Sequence, residues 1–369
     1  MHIDDVALLQ FIKSKLKVGI VNTYRNTALY KVIRIKDIQV IIDIFESNPL
    51  NTIKYLNFLD FKKAYELYTT SDEKSIELIN LIDNIKGGMN KLRINFKRNN
   101  DFKITPYWLL GFVEVEGSFF VSKGKDFQYK LGFNLTQSIV DLPLMETIKK
   151  FLLDLPKNKK FEDTTINLNV GQIRSKSKQA VLISSYNTIY FRDVLIPFFD
   201  SMIWQSKKEF DYKDWKIILN LKDLGQNDTE LGREVIELII NQMNLKRLST
   251  KPIHNSKAIQ GITTFENKQA LQAKIAELLS LPSNLERKED GRLLIISENR
   301  YLNEGAKQIQ LLSRDPINPG EILKTFNSRV ECAKFLNISS TTVANWLVKD
   351  DYKFIYKGKL VSLKIVTNS

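Results

Sequence analysis

The chain has 369 residues, 43% hydrophobic and 10% aromatic, so it is long and apolar enough to form two or three folded domains. Lysine and arginine number 55 against 42 aspartates and glutamates, and the net charge of +13 favours a polyanionic partner such as nucleic acid. The single cysteine, Cys332, excludes internal disulfides and a cysteine-based zinc site. Having only His2 and His254 argues against histidine-metal and Ser-His-Asp chemistry, and no run approaches the ~20 apolar residues of a membrane span.

The first 100 residues contain the earlier copy of an internal repeat. Residues 44–64 align without gaps with residues 198–218, at an offset of 154, so that Lys54 matches Lys208. An amphipathic helix and a polar strand pair precede the aligned segment in both copies, which predicts the order helix, strand, strand, helix. A polar, basic connector follows at 86–101. We interpret it as a solvated linker, although its cations also suit a phosphate backbone.

Residues 105–117, TPYWLLGFVEVEG, form the most informative segment. Thr105 is predicted to cap a helix whose first position is Pro106. Because the helix is apolar on almost all sides, we expect it to be buried. Glu114 and Glu116 lie about 200° apart around the helix and should point to opposite sides. Glu116 is at the C-terminal end, where the helix dipole disfavours an anion, so we expect a divalent cation to compensate it.

Two predicted strands follow, SFFVSK (118–123) and YKLGFNLTQ (129–137), and a third basic strand is predicted at 173–181. Apolar residues alternate with polar ones, so that one face is polar and suits contacts to bases and phosphates. A solvated outer sheet face is the alternative. The residues predicted to contact DNA are Ser122, Gln128, Lys130, Asn134, Thr136, Arg174, Lys176 and Lys178.

The last 50 residues predict a helix-turn-helix. Ser328 caps the first helix, which ends at Leu336, and Ser339 or Ser340 caps the second. A packing module without DNA is an equally open interpretation. The residues of the second helix that would contact DNA are Thr341, Thr342 and Asn345.

The stretch LLGFVEVEG (109–117), the strand SFFVSK and the duplicated unit together resemble the LAGLIDADG homing endonucleases over about residues 1–245. The tail at 320–363 resembles the DNA-binding modules of NUMOD type. The resemblance implies an α+β fold in which two αββαββα repeats form a saddle on DNA, the first repeat lacking its signature helix and first two strands. The predicted domains are a truncated first repeat (1–100), a complete second repeat (101–245), a linker with a helix (246–319) and the helix-turn-helix (320–369).

The resemblance also implies an activity. Its members are intron-encoded, site-specific endonucleases that hydrolyse both strands of DNA with Mg²⁺ or Mn²⁺. It implies that Glu116 is a metal ligand and that Gln137, Lys208 and Lys54 match the other active-site residues. The abundance of Lys, Asn and Ile is typical of AT-rich genes, and together with the resemblance it predicts an organelle-encoded, mitochondrial protein.

The chain departs from the family in one respect: no signature helix precedes residue 105, so one catalytic acid is present. Three explanations stay open. An upstream segment supplies the other helix, a second chain supplies it, or the protein no longer cuts DNA. An intron RNA maturase, a splicing cofactor without nuclease activity, is an alternative because cationic surfaces bind RNA and DNA alike. A DNA binder driven by the tail helices is a third hypothesis.

Overall fold

The computed structural model describes residues 1–124, 128–156, 161–172, 179–247, 265–289, 292–302, 308–316, 318–349 and 352–366. These residues form two compact units, Met1–Pro282 and Ser283–Ser369. Over the described ranges, no helix has both the length and the apolar character needed to cross a membrane. The first unit contains both copies of the repeat.

The first copy consists of a short hairpin flanked by helices. Its strands pair antiparallel with Tyr24 opposite Thr27, and Arg25 adopts a positive φ of 49° in the tight turn. The predicted order of helix, strand, strand and helix is present, and two further helices follow. The elements are α1 (Val6–Leu16), β1 (Ile20–Tyr24), β2 (Thr27–Lys31), α2 (Ile35–Ser47), α3 (Lys54–Thr70) and α4 (Ile76–Gly87).

Helix α5 (Pro106–Glu116) begins as the sequence predicts, with the Thr105 hydroxyl accepting the N–H of Trp108 at 3.1 Å. It leads directly into strand β3 (Gly117–Lys123). A Cβ on Gly117 would lie 2.5 Å from the carbonyl oxygen of Val113. Only glycine therefore lets the chain turn from helix to strand immediately after Glu116.

The prediction that α5 is buried on all sides is wrong for one of its faces. Leu109, Leu110 and Val113 are fully buried, but the side chains of Tyr107 and Val115 are 63% and 76% exposed. The reason is that α5 packs with one side against the sheet. An apolar strip of the helix is left at the surface of the unit.

The second copy forms a four-stranded antiparallel sheet with helices on one face. The elements after β3 are β4 (Tyr129–Ser138), α6 (Leu142–Asp154), β5 (Asn167–Val170), β6 (Ala180–Ser185), α7 (Thr188–Tyr190), α8 (Ile196–Asp200), α9 (Lys208–Asp223), α10 (Glu230–Ile240) and α11 (Phe265–Ser280). The strand order is β3-β4-β6-β5, and a π-helical turn, Phe191–Leu195, joins α7 to α8.

The strand predicted at 173–181 lies only partly within the described residues. Among those residues, β6 begins at Ala180 and its partner β5 ends at Val170. The predicted DNA-binding residues Arg174, Lys176 and Lys178 lie outside the described residues.

At the end of the first copy, Arg93 and Asn90 bind Asn57 and Asp60 of α3, and this set of contacts is here called the arginine clasp. Arg93 donates from Nε to Asn57 Oδ1 at 3.0 Å and forms an ion pair with Asp60. The backbone N–H of Asn90 donates to the same Asn57 oxygen at 2.9 Å. Most residues of the connector at 86–101 are exposed, but its centre is attached to α3 through the side chains of Asn57 and Asp60.

The same clasp recurs 154 residues later. Arg247 donates from Nε to Asp211 Oδ1 at 2.8 Å and forms an ion pair with Asp214, while the N–H of Asn244 donates to Asp211 at 2.9 Å. Asn90 and Asn244 also share a left-handed backbone, with φ of 54° and 56°. The structural repeat thus continues well beyond the aligned residues 198–218.

The second unit contains two small sheets and a helix pair. The elements are β7 (Leu285–Arg287), β8 (Leu293–Ile295), β9 (Arg300–Tyr301), β10 (Ile309–Ser313), β11 (Ile322–Phe326), α12 (Arg329–Leu336), α13 (Ser340–Val348), β12 (Lys353–Tyr356) and β13 (Lys359–Ile365). The larger sheet has the order β11-β10-β13-β12, and its apolar face packs against the helices around Phe326, Val343 and Val361. Ser328 and Ser339 cap the two helices as predicted.

The boundary between the two units differs from the predicted linker at 246–319. Helix α11 joins the core of the first unit because Leu271, Ile275 and Leu278 are buried there. Strand β10, by contrast, lies at the centre of the tail sheet. The predicted linker is therefore divided between two folded units.

Candidate active site and nucleic-acid interface

Glu116, Gln137 and Lys54 line one cavity of about 1100 Å³. Each comes from a different element: Glu116 ends α5, Gln137 lies near the end of β4, and Lys54 begins α3 of the other repeat. Three of the four predicted catalytic residues are therefore together, although they are far apart in the sequence. The side chains of Glu116 and Lys54 are exposed, and Gln137 is half-buried.

Asp141 is a second acidic residue of this cavity, beside Glu116, and it was not predicted from the sequence. Its side chain is almost completely buried, and Oδ1 accepts the backbone N–H of Ile53 at 2.7 Å. Burial raises the pKa of this carboxyl, as does the nearby Glu116, while the Ile53 N–H and Arg98 act in the opposite direction. The available signal was its position immediately before α6, where an aspartate normally caps its own helix.

Arg98 holds the loop that leads to Lys54. Its guanidinium donates to the carbonyl oxygens of Asn51 at 2.9 Å and Thr52 at 2.8 Å. The group also lies 5.1 Å from the ring centroid of Tyr55 and 5.0 Å from that of Phe102. Burial lowers the pKa of Arg98, and the neighbouring Asp141 opposes this effect. The start of α3, and with it Lys54, is thus fixed by residues of the connector.

Lys208 occupies the equivalent place in the second repeat, as the first residue of α9, but it does not line the cavity. Its ammonium lies 3.7 Å from the carboxylate of Asp211. Glu114 holds the preceding loop, accepting the N–H groups of Gln205 and Ser206 at 2.6 and 2.8 Å. Glu114 and Glu116 therefore serve opposite sides of α5, as their helical spacing predicts.

The two repeats bind each other reciprocally. Asp141, just before α6, accepts the N–H of Ile53 ahead of α3. Asp5, just before α1, accepts the N–H of Lys207 ahead of α9 at 3.3 Å. Each repeat therefore contributes a carboxylate to the positive, N-terminal end of the helix that carries the other repeat's lysine.

The outer face of the sheet carries the described residues that were predicted to contact DNA. Ser122 pairs with Lys130 across β3 and β4, and Asn134 and Thr136 follow on the same face. Ser122, Lys130 and Thr136 are exposed, and Asn134 is half-buried. Gln128 is exposed immediately before β4. The arrangement presents alternating polar side chains on one surface, as contact with a nucleic acid requires.

Two further residues of this face, both in β5, were not predicted from the sequence. The register puts Asn167 opposite Ser184 and Asn169 opposite Leu182, in line with Asn134 and Thr136. Asn167 and Asn169 are exposed amides. Their alternation in the run INLNV (166–170) is the signal that could have identified them.

The sequence profile of LAGLIDADG endonucleases matches residues 1–65 and 109–219, which include the first copy and the strand and helix elements around Glu116. Over these residues the chain matches the LAGLIDADG endonuclease family. Members of this family generally use divalent metal ions.

Curated relatives of this chain are fungal proteins. An uncharacterized mitochondrial protein of Saccharomyces cerevisiae is 25% identical over 98% of this chain and 75% of its own length. A probable intron-encoded endonuclease of Schizosaccharomyces pombe is 29% identical over 59% of this chain and 56% of its own length. A probable intron-encoded endonuclease of Neurospora crassa is 26% identical over 66% of this chain and 47% of its own length. The chain thus spans about half the length of these two endonucleases.

Solved LAGLIDADG structures share the fold. The homing endonuclease I-GzeII, in complex with its DNA target, is 26% identical with a TM-score of 0.59, covering 67% of this chain and 87% of that one. The meganuclease I-SmaMI, bound to DNA, is 24% identical with a TM-score of 0.58, covering 67% and 85%. The predicted α+β architecture of the two-domain LAGLIDADG enzymes is confirmed by these similarities.

The donor set of this site suits a metal ion shared with a substrate. In the described part of the chain, no group of three or more His, Cys, Asp or Glu side chains could hold an ion by itself. Glu116 presents an exposed carboxylate to the cavity, and Asp141 is already engaged by Ile53. Magnesium is commonly held by one or two carboxylates, water and substrate phosphates. The residues present fit that mode of binding.

Two of the three residues of α13 that were predicted to contact DNA are exposed. Thr341 and Asn345 are exposed on α13. Thr342 is half-buried, and its hydroxyl lies 2.8 Å from that of Ser339, with which it forms a hydrogen bond at the helix start. The resemblance of this unit to NUMOD modules stays a prediction.

Proposed function

We propose that this chain is an intron-encoded homing endonuclease that hydrolyses a specific double-stranded DNA site with Mg²⁺ or Mn²⁺. The convergence of Glu116, Gln137 and Lys54 on one cavity is the observation that carries the proposal. A carboxylate, an amide and an ammonium from two repeats suit a phosphodiester better than they suit an uncharged substrate. The family match and the DNA-bound structures of similar enzymes support the same conclusion.

Each residue has a distinct task in this proposal. Glu116 holds the divalent ion, which when bound supplies an activated water and stabilises charge on the phosphate. The Lys54 ammonium stabilises the negative charge that develops on the scissile phosphate. Gln137 orients a water or a phosphate oxygen through its amide. Arg98 and Asp141 position Lys54 through the loop at 51–53.

The polar outer face of the sheet is proposed to lie in the major groove. Lys130 and the amides of Asn134, Asn167 and Asn169 are donors and acceptors suited to base edges and phosphates. Exposed residues of α13, Thr341 and Asn345, are proposed to add DNA contacts of the accessory unit.

A second apolar helix is proposed to pack on the exposed strip of α5. Tyr107 and Val115 are largely exposed, and a Cβ on Gly111 would meet no atom within 4 Å. An open glycine on an apolar face lets another helix backbone approach closely. Such a helix, from another segment or a second chain, would bring a second carboxylate beside Glu116.

The proposal also includes an organelle location and prefers DNA cleavage to a role as an intron RNA maturase. The curated relatives named above are described as intron-encoded endonucleases or as mitochondrial, which supports an organelle location for this chain. None of these names favours the intron RNA maturase, and no feature of the described cavity favours it over cleavage of DNA.

The test compares Glu116→Gln with the matched control Glu146→Gln, an exposed glutamate on α6. Cleavage of the intron-less host gene is expected to be lost in Glu116→Gln and unchanged in Glu146→Gln. Binding of the same DNA, measured in Ca²⁺, should be retained by both variants. Equal loss of binding and cleavage in Glu116→Gln would contradict the metal-ligand assignment.

A further inference from the structure

Two aromatic residues, Phe120 and Tyr186, interrupt the polar outer face of the sheet and are here called the aromatic island. Phe120 lies on this face and is half-buried, opposite Gly132 of β4. Its ring rests directly on the glycine, because a Cβ on Gly132 would lie 2.3 Å from the ring. Because Gly132 has no side chain, the Phe120 ring packs directly on its backbone, on a surface whose other positions are mostly polar.

Tyr186 contacts Phe120, and Lys130 lies at the edge of the island. Tyr186 stands edge-on to Phe120, with ring centroids 5.9 Å apart and planes at 88°. The ammonium of Lys130 lies 4.2 Å from the centroid of the Tyr186 ring. Tyr186 remains 40% exposed. The island is therefore accessible, apolar at its centre and cationic at one edge.

Polar rows flank the island on both sides. Ser122 and Lys130 form one row, and Ser118 and Asn134 form the other. Hydrogen-bonding side chains at these positions suit base edges and phosphates, but Phe120 can neither donate nor accept. In the major groove, the C5-methyl of thymine is the one apolar group on the base edges, and apolar side chains recognise it by contact.

We infer that Phe120, supported by Gly132 and Tyr186, is a specificity-determining residue that reads a thymine through its methyl group. This inference rests on the proposed function, because it requires the outer sheet face to lie in the major groove. The adjacent Lys130 contacts the neighbouring base or phosphate. The occupant is duplex DNA with a thymine at this position of the site.

The experiment begins with selection of preferred duplexes from a randomised library by the full chain, in parallel for wild type and Phe120→Ser. Each thymine of the selected site is then replaced singly by deoxyuridine, which removes only the methyl group. One replacement is expected to weaken wild-type binding about three- to five-fold, the effect of one buried methyl group. Phe120→Ser should bind the two duplexes equally.

Two further variants separate methyl recognition from a change in the fold. Phe120→Leu keeps an apolar side chain and should retain part of the preference for thymine. Asn134→Ala removes a flanking polar contact, so it should weaken binding overall while leaving the deoxyuridine effect intact. A deoxyuridine effect of equal size in wild type and Phe120→Ser would overturn the inference and leave the proposed function standing. Failure of the selection to return any preferred sequence would overturn both.

Discussion

The two arginine clasps allow a prediction with an internal control, because the same substitution can be made at Arg247 and at Arg93. Arg247 neutralises two carboxylates that are almost completely buried, Asp211 at 4% and Asp214 at 8% exposure. Arg93 binds a neutral amide, Asn57, and one acid, Asp60, whose side chain is 34% exposed. The arginine that faces buried charge should therefore matter more.

The magnitudes follow from the partners that each substitution leaves behind. Arg247→Met leaves the buried Asp214 without its cation and leaves Asp211 with the Lys208 ammonium at 3.7 Å, and breaking a buried ion pair costs about 3–5 kcal/mol. Arg93→Met leaves an amide and a partly solvated acid, for which about 1–2 kcal/mol is expected. Urea denaturation followed by the fluorescence of the buried Trp204 and Trp215 measures the difference.

The sign of the pH effect is also fixed. Burial raises the pKa of Asp214, and Arg247 and Gln242 oppose this. Removing Arg247 should therefore raise the pKa of Asp214 further above its unfolded value. A carboxyl with a raised folded pKa stabilises the fold below its unfolded pKa, and this stability is lost as the pH rises through the folded pKa. Arg247→Met should accordingly be less destabilising at pH 5 than at pH 7.

A double variant and the first-repeat control make the reasoning refutable. Arg247→Met combined with Asp214→Asn should regain part of the lost stability, because it removes one stranded charge. Equal destabilisation by Arg93→Met and Arg247→Met, with no difference between pH 5 and pH 7, would refute the assignment of the cost to buried charge.

Further predictions concern the active site and the tail. Lys54→Met should slow DNA cleavage by about 10²- to 10³-fold at unchanged affinity, and single-turnover rates check this. Lys208 does not line the cavity, and its catalytic role is predicted by the family resemblance alone. The same assay tests that role, which a slower rate in Lys208→Met would support and an unchanged rate would exclude. Asp141→Ala should cost about 1 kcal/mol in urea denaturation, while Asp141→Asn, which keeps an acceptor for the Ile53 N–H, should cost less. Deletion of the second unit, residues 283–369, should weaken DNA binding in gel shifts without moving the cut site, and a moved cut site would contradict an accessory role.

The parts of the site that the sequence predicted depend on local rules. The cap at Thr105, the glycine at 117 and the alternation in β4 act within a few residues, so the ends of α5 and the faces of the sheet could be inferred directly. The convergence of Lys54 with Glu116 was expected only through the family resemblance.

Contacts between distant residues account for what the sequence did not predict. The bond from Ile53 to Asp141 joins residues 88 positions apart, and those to Glu114 join residues 91 and 92 apart. No local pattern marks such pairs. One usable signal was overlooked: MNKLR at 89–93 and MNLKR at 243–247 recur at the offset of 154, and the sequence alignment ended before them. The exposed side of α5 was missed because composition alone does not tell which faces a helix buries.

The exchange of carboxylates between the repeats has a consequence for hybrid proteins. Asp5 belongs to one half but completes the start of α9, and Asp141 belongs to the other half but completes the start of α3. A hybrid can join one half of this chain to the other half of a relative. If that relative lacks the matching aspartate, or has a loop of another length before α3 or α9, the start of the helix that carries the lysine loses its carboxylate acceptor. Compatible fusion partners should be chosen by these two junctions before their DNA preferences are considered.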